Sequence, residues 1–552
     1  MTQSHKPIHP AALMYAEETK AGKISRREFL TRTTALGVTA SAAYGLLGMT
    51  APAHAAGHAQ QGGILRMQMD VRALKDPRTY DWPQIAHFSA GWLEYLVEYN
   101  SDGSFEPMLL ESWEINENAT QYTLNVRRGV TWNDGTEFTA EDVARNITRW
   151  ADRTVEGNSM ASRFTAIIDP ETDIALKGAI EVVDSHTVRL NLPISDISLI
   201  AGMSDYPAPI VPADFNPETM LENPVGTGPY LPESLEVGVR GVIVRNEGHD
   251  WWGYAAGKGA CLDRIEFIDY GTDPSAWVAA AAADEVDMTY ETVGEFVEVF
   301  ESIGWERSEV ASGGTLVIRP NQQAEVDGVQ PYADKRVRQA IAMAVDNAVC
   351  LELGYSNLGE VARNQHVGPM HPAWADVPGL PYDPAKAMEL LTEAGMADFE
   401  MEITSIDDDW RKNTTDAVAA QLRDAGFKVK RTIIPGATFW NDWTKYPFSS
   451  TDWNHRPIDT QVLGLAYKSG EAWNESGFAN EEFDALLAEA NAISDADARR
   501  EVMAKLQAIM SDEGVTIQPY WRSLYRHAKP GFVGWDMHIA YLPQIYKIAL
   551  AA

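Results

Sequence analysis

Cysteine is nearly absent from this chain: only Cys261 and Cys350 occur in 552 residues. Two thiols allow one disulfide at most, and they exclude an iron–sulfur cluster held by the usual four thiolates. Pairing and two free buried thiols both stay open, because sequence does not show whether the two Cα atoms approach. Positive charge is scarce as well. Against 79 Asp and Glu stand 45 Lys and Arg, a net charge of −34 at pH 7. Such a chain repels phosphate backbones, which argues against nucleic acid as a partner. Catalytic signatures are missing: no His-Glu-x-x-His, Gly-x-Ser-x-Gly or Gly-x-x-x-x-Gly-Lys-Ser/Thr is found. Gly226-Thr227-Gly228 lacks a following Lys, and Pro229 removes a donor that a phosphate cradle needs, so it reads as a tight turn opening a strand. Beyond residue 55 there is no apolar run of 18 or more residues, hence no candidate membrane span.

What is present begins with a leader-like segment, residues 1–55. Ser25-Arg26-Arg27-Glu28-Phe29-Leu30 is similar to a twin-arginine export signal, with Thr31 where Lys is usual. A weakly apolar run, Thr33–Met49, follows, and Ala53-His54-Ala55 supplies the small-x-small pattern of a signal-peptidase site. The run is too short and too broken by Gly and Thr to make a good membrane anchor. A twin-arginine route carries folded proteins, so this reading implies folding before export and a periplasmic destination. The leader is net +3, so the remaining 497 residues carry −37 of the chain's −34. Their length suits one large domain or two to three ordinary ones.

Downstream, Gly62–Asp70 alternates like a first strand, and His87–Glu98 reads as an amphipathic helix. Residues 106–150 read as a hairpin and then a helix, with Thr139 as N-cap and Glu141 and Asp142 in its first turn. Asp334–Asp346 and Tyr382–Ala394 read as helices, the second stopped by Gly395. Thr414–Gly426 followed by Phe427–Ile434 is a helix–strand step. Glu481–Met510 is a long helical stretch broken near Ser494-Asp495, and Val515–Tyr520 returns to a strand.

Several of these blocks resemble, in order, the solute-binding subunits of ABC importers of family 5, the peptide, nickel and oligosaccharide class. The motifs are Asp134-Gly135-Thr136-x-Phe138-Thr139-Ala140-x-Asp142-Val143, the turn Gly226–Tyr230 with the strand, Arg245-Asn246 and aromatic loop after it, Arg338-x-Ala340, and Tyr382–Gly395. The resemblance runs from about Gly62 to about Tyr520. It implies an α/β, two-lobed periplasmic binding protein fold of type II, the large class with an extra inserted domain, closing over a central cleft. Mapped onto this chain, domain I spans 57–98, 206–318 and 516–552, domain II 99–205 and domain III 319–515. It further implies no bond chemistry, no cofactor, a monomer, and two partners: a small solute and the membrane permease.

The ligand-binding candidates are Trp453, Asn454, His455 and Arg456, with Asp408 and Trp410 from a neighbouring loop. In peptide-binding members, the resemblance implies, the third residue after this Trp is an Asp that grips the peptide's ammonium group. Here it is Arg456, whose guanidinium suits a carboxylate, phosphate or sugar hydroxyls. Dipeptide-type members carry a basic residue near the loop where this chain has Asp407-Asp408-Asp409. Site polarity is therefore expected to be reversed, leaving a peptide in the opposite pose, an opine-like compound or an oligosaccharide as solutes. The bland reading of Arg456 is a pairing with some acid of the protein. That of Asp407–Asp409 is capping of the next helix. His366 and His371, five apart, could ligate a transition metal, but their Gly- and Pro-rich surroundings read more simply as a solvated loop. The competing class is an exported hydrolase or metal-dependent enzyme, for which no nucleophile or metal set is found.

Overall fold

The computed structural model describes residues 8–50, 59–116, 118–493 and 495–552. The alternating run after Gly62 forms the strand Ile64–Gln68, with Leu65 and Met67 turned inward. It pairs in parallel with Arg264–Ile268 on one side and Met288–Thr289 on the other. Antiparallel Arg240–Arg245 and Tyr230–Glu236 complete that side of an eleven-stranded sheet. The other side holds Phe448–Trp453, Glu400–Ile406 and Lys428–Ile434, again with parallel neighbours. Parallel pairs need helical crossovers, and Trp410–Asp424 is one of these, joining the last two strands named. Two lobes result: lobe 1 around Ile64–Gln68, lobe 2 around Glu400–Ile406.

Two long strands join them. Glu306–Pro320 runs 15 residues; its first part, Glu306–Ala311, pairs with Tyr520–Ala528 and its last part, Thr315–Pro320, with Phe448–Trp453. The ladder is irregular between Ala311 and Thr315, at Ser312-Gly313-Gly314. A strand that changes partners at a break in its ladder is a natural place for bending.

A separate four-stranded antiparallel sheet is built by Leu110–Ile115, Gln121–Val126, Thr187–Asn191 and Ile180–Asp184, in that spatial order. The helix Ala140–Trp150 packs on it, started by a capping box in which Thr139 and Asp142 serve each other's backbone amides. This insertion shares one apolar core with lobe 1, lobe 2 has its own, and a third cluster joins Tyr80, Trp82 and Tyr206 of lobe 1 to Trp453, Trp473 and Leu463 of lobe 2. Both cysteines are free and buried.

The expected helix over His87–Glu98 is not formed. A helix Pro83–Ser89 ends there, and Val97–Tyr99 is a strand. The carbonyls of Gly91 and Trp92 are taken by Tyr230 N–H (2.9 Å) and Gly228 N–H (3.0 Å), so they are not available to a helix. The Gly-Thr-Gly-Pro-Tyr turn therefore acts as a clasp on this segment. A Cβ on Gly226 would lie 1.9 Å from the Trp92 carbonyl oxygen. The aromatic loop after it completes the clasp: the Trp251 and Trp252 indoles donate to Glu94 at 3.0 and 2.9 Å, and burial pushes that carboxyl up to about 7. The last long strand also starts later than expected, at Tyr520 rather than Val515.

The described residues of the leader-like segment form three short helices: α1 (Pro10–Lys20), α2 (Arg26–Ala35) and α3 (Ala40–Leu46). Ala53-His54-Ala55 lies outside the described residues.

Gly226→Ala is expected to destabilise the fold by about 1–3 kcal/mol, because backbone must move to admit the methyl group. Thermal unfolding of the purified chain should drop by several degrees; an unchanged midpoint would show that the Trp92 carbonyl is not a fixed wall.

Candidate functional site

At the seam between the lobes lies a cavity with about 440 Å³ of free space. Lobe 1 supplies Asp81, Trp82, Pro83 and Tyr206; lobe 2 supplies Trp440, Trp443, Asp452, Trp453, Asn454, Arg456 and Trp473. Trp82 enters because Pro83 starts a helix just after it, and Trp453 because it ends the strand Phe448–Trp453. Trp82 meets Trp440 edge to face at 4.3 Å between ring centres, and Tyr206 stacks on Trp473 at 6.0 Å. Such rings offer large apolar faces and a few fixed donors to a guest. A roomier hollow of about 700 Å³ lies beneath Glu94 and Tyr230, but its lining is all lobe 1, so lobe movement does not shape it.

Trp453 is held by Glu475. Its indole N–H donates to Oε1 at 2.8 Å, and Thr451 donates to the same oxygen at 2.6 Å. Oε2 is ion-paired with Arg319, equally buried. Burial pushes the Glu475 carboxyl up, and Arg319 pulls against that. The ring is thereby held in place by its own lobe.

Arg456 does not project freely. Its Nε lies 3.2 Å from Asp205 Oδ2, and Arg163 donates to the same oxygen from Nε at 2.9 Å and Nη2 at 2.5 Å. Burial pushes the Asp205 carboxyl up, but the two guanidiniums outweigh it and hold it below the ordinary range. Both cations also face aromatic rings, Arg163 over Trp473 and Arg456 over Tyr206 and Trp473. Asp205 and Arg163 belong to lobe 1 and Arg456 to lobe 2, so this triad closes the seam. Its members sum to one positive charge, with Asp81 and Asp452 on the cavity wall that Arg456 also lines.

His455 crosses the seam too. Gly313 N–H donates to its Nδ1 at 3.2 Å, so the proton sits on Nε2, which faces the Tyr99 hydroxyl at 3.2 Å. Burial, helped by His371 and Arg27, pushes its pKa far down, and the ring is neutral. A Cβ on Gly313 would sit 2.6 Å from His455 Nδ1, so the irregular ladder at 312–314 makes room for this histidine.

Asp408 and Trp410 stand apart from the cavity. Asp408 is buried and ion-paired with Arg411, whose Nε reaches Asp452 at the cavity wall at 2.7 Å. Asp408 also accepts from the amides of Arg411 and Lys412 at the start of helix Trp410–Asp424. Trp410 packs in the lobe 2 core, with Arg522 over its ring at 3.6 Å. His366 and His371, expected in a solvated loop, are buried: His366 Nδ1 bonds the Tyr467 hydroxyl at 2.7 Å and His371 Nδ1 accepts from Gly368 N–H at 3.0 Å. Among the described residues no group of three or more His, Cys, Asp or Glu is disposed to hold a metal ion. Trp82, Arg163, Asp205, Tyr206 and Glu475 were not legible as site residues, since nothing near them in sequence points to the cleft.

Asp205→Ala should separate the lobes, because it leaves two buried guanidiniums facing each other. Small-angle scattering should show a larger radius of gyration, and an unchanged radius would mean the triad does not hold the seam. In the wild type the depressed Asp205 pKa puts its contribution in full above the unfolded value of about 4. It is lost only as pH falls below that, so the radius should be the same at pH 7 and pH 5.

Comparison with known proteins agrees with this architecture. Heme-binding protein A of Haemophilus influenzae is 26% identical over 466 residues, covering 76% of this chain and 79% of that protein. The periplasmic binding protein DppA from Helicobacter pylori, solved with the peptide STSA, superposes with a TM-score of 0.76 at 19% identity, over 89% of this chain and 99% of that one. AgaA from A. tumefaciens R10, solved with agropinic acid, superposes equally well, with a TM-score of 0.76 at 20% identity over 89% and 99%. Residues 104–475 match the middle-region profile of the bacterial extracellular solute-binding proteins, family 5, and the chain belongs to that family.

Proposed function

We propose that this chain is the substrate-binding subunit of an ABC importer, exported by the twin-arginine route to the periplasm. There it closes on a small peptide or peptide-like solute and presents it, as a monomer, to the membrane permease. The observation that carries this reading is that the tryptophan-walled cavity is assembled from both lobes. A solute lying there gains contacts from each, and that difference in affinity between closed and open forms is what drives hinge closure. The role needs no bond chemistry.

The division into domain I (57–98, 206–318, 516–552), domain II (99–205) and domain III (319–515) is supported by the separate sheet of residues 110–191 and by the partner change along Glu306–Pro320. Trp453 offers its ring to the solute while Glu475 holds its N–H. Asn454 lines the same wall. His455 locks the seam against Tyr99. Arg456, with Arg163, leaves one positive charge in excess over Asp205, which favours a solute whose inner end is anionic. Asp408 acts at one remove, by setting Arg411 against Asp452, and Trp410 by backing that helix. The solutes named for the similar structures are a peptide and agropinic acid.

Native mass spectrometry of protein purified gently from periplasm should show a discrete bound mass carrying a carboxylate. Arg456→Asp should then lose at least about tenfold in affinity for that solute by calorimetry, roughly 1.4 kcal/mol. Unchanged affinity would remove Arg456 from recognition, and a neutral oligosaccharide in the spectrum would replace the anionic reading. Export is tested separately: Arg26-Arg27→Lys-Lys should leave precursor in the cytoplasm, and normal export of that variant would sink the twin-arginine assignment.

A further inference from the structure

The N-terminal helices touch both lobes, and they do so through built contacts. On lobe 1, the Thr31 hydroxyl donates to the Gly103 carbonyl at 2.7 Å, Phe105 N–H donates to Thr34 Oγ1 at 2.8 Å, and the Trp113 indole donates to the Ala35 carbonyl at 3.2 Å. Tyr44 of α3 donates to Asp102 at 2.8 Å. Ala35 joins the lobe 1 core, while Phe29 and Leu30, wholly buried, belong to a small core of the three helices themselves. On lobe 2, Arg32 Nη2 donates to the Pro372 carbonyl at 2.7 Å. On the strand that joins the lobes, Arg27 Nη1 reaches the Ala311 carbonyl at 3.2 Å, one residue before the ladder breaks. The Tyr99 hydroxyl meets His455 across the seam.

Close approach is written into both partners as glycine. A Cβ on Gly37 would lie 2.5 Å from the Trp113 carbonyl oxygen, and one on Gly103 would lie 2.6 Å from Arg27 Cγ. Both have positive φ, so side chains are excluded twice over. The contact is also imperfect: Arg32 Nε and Nη1 and the Thr33 hydroxyl are buried without hydrogen-bond partners. Unsatisfied buried groups cost free energy, which keeps docking reversible.

We propose that residues 10–47 are a releasable clamp, docked across the seam between the two lobes, that holds the Arg26-Arg27 export motif folded into the body until the clamp lets go. In the docked state Phe29 and Leu30 of the motif are inaccessible and the lobes are tied on the side of Tyr99 and Ala311. Recognition of the motif in extended form then requires undocking, and removal of the leader frees the hinge. The consequence for export rests on reading residues 1–55 as a leader; the docking itself does not.

The test uses purified full-length chain and a variant altered only in the leader, Thr31→Val, Arg32→Ala and Thr34→Val, so that the body is untouched. Hydrogen exchange of amides 29–36 should be slowed by about 100-fold or more in the wild type relative to an unstructured chain, and should speed up to near the unstructured rate in the variant. Nitroxide pairs at the exposed positions Glu111 and Glu482 should report a narrow distance distribution in the wild type and a broader one in the variant. Free exchange of amides 29–36 in the wild type, equal protection in both chains, or unchanged distances would each overturn the clamp. Slow exchange in a chain whose Lys-Lys variant is exported normally would leave the clamp standing and remove only the twin-arginine route.

Discussion

Two guanidiniums on one carboxylate set the terms for this protein. Asp205, from lobe 1, accepts from Arg163 of its own lobe and is ion-paired with Arg456 of the other, all three side chains being nearly buried. Burying such charges is costly unless geometry and neighbours compensate, and here the aromatic faces of Tyr206 and Trp473 take the sides the carboxylate cannot reach. An arrangement of that kind stabilises one relation of the lobes and no other. Of the three, Arg456 also lines the tryptophan-walled cavity, so the contact that joins the lobes borders the space between them.

The sheet explains how the lobes reach that relation. Eight of its strands divide between the lobes, and only Glu306–Pro320 and Tyr520–Ala528, with the short strand Gly359–Val361 beside them, bridge the two groups. Bending concentrates where the long strand changes partners, at Ser312-Gly313-Gly314. Gly313 stands against His455 and Ala311 against Arg27, so the point of greatest freedom is where lobe 2 and the N-terminal helices both press.

How much of this was legible beforehand follows from what each feature depends on. Local features read well: Thr139 caps its helix, Gly395 stops another, and the step from helix to strand near Gly426 is where alternation places it. The fold class followed from motif order. The helix over His87–Glu98 misread because its amphipathic period was real, yet its carbonyls were claimed by a turn more than 130 residues away. The cleft was half legible. Asp452–Arg456 stood out through a charge in an unusual place, whereas Asp205 and Trp82 enter only because a remote sheet brings them there. His366 and His371 differ from expectation for a related reason: a Gly- and Pro-rich segment reads as solvated, yet here it is covered by Trp453, Tyr467 and Trp521.

The same logic separates the roles of the charged residues that do read from sequence. Asp408, Arg411 and Asp452 look like a binding cluster by composition, and both carboxylates lean on the one guanidinium of Arg411. That set sums to one negative charge, the mirror of the triad in which Arg163 and Arg456 share Asp205, and Asp452 and Arg456 line the same cavity. The tryptophan-walled cavity thus carries charge of both signs on its lining, Asp81 and Asp452 beside Arg456, and aromatic faces accept many flat or apolar groups while a desolvated charge accepts few.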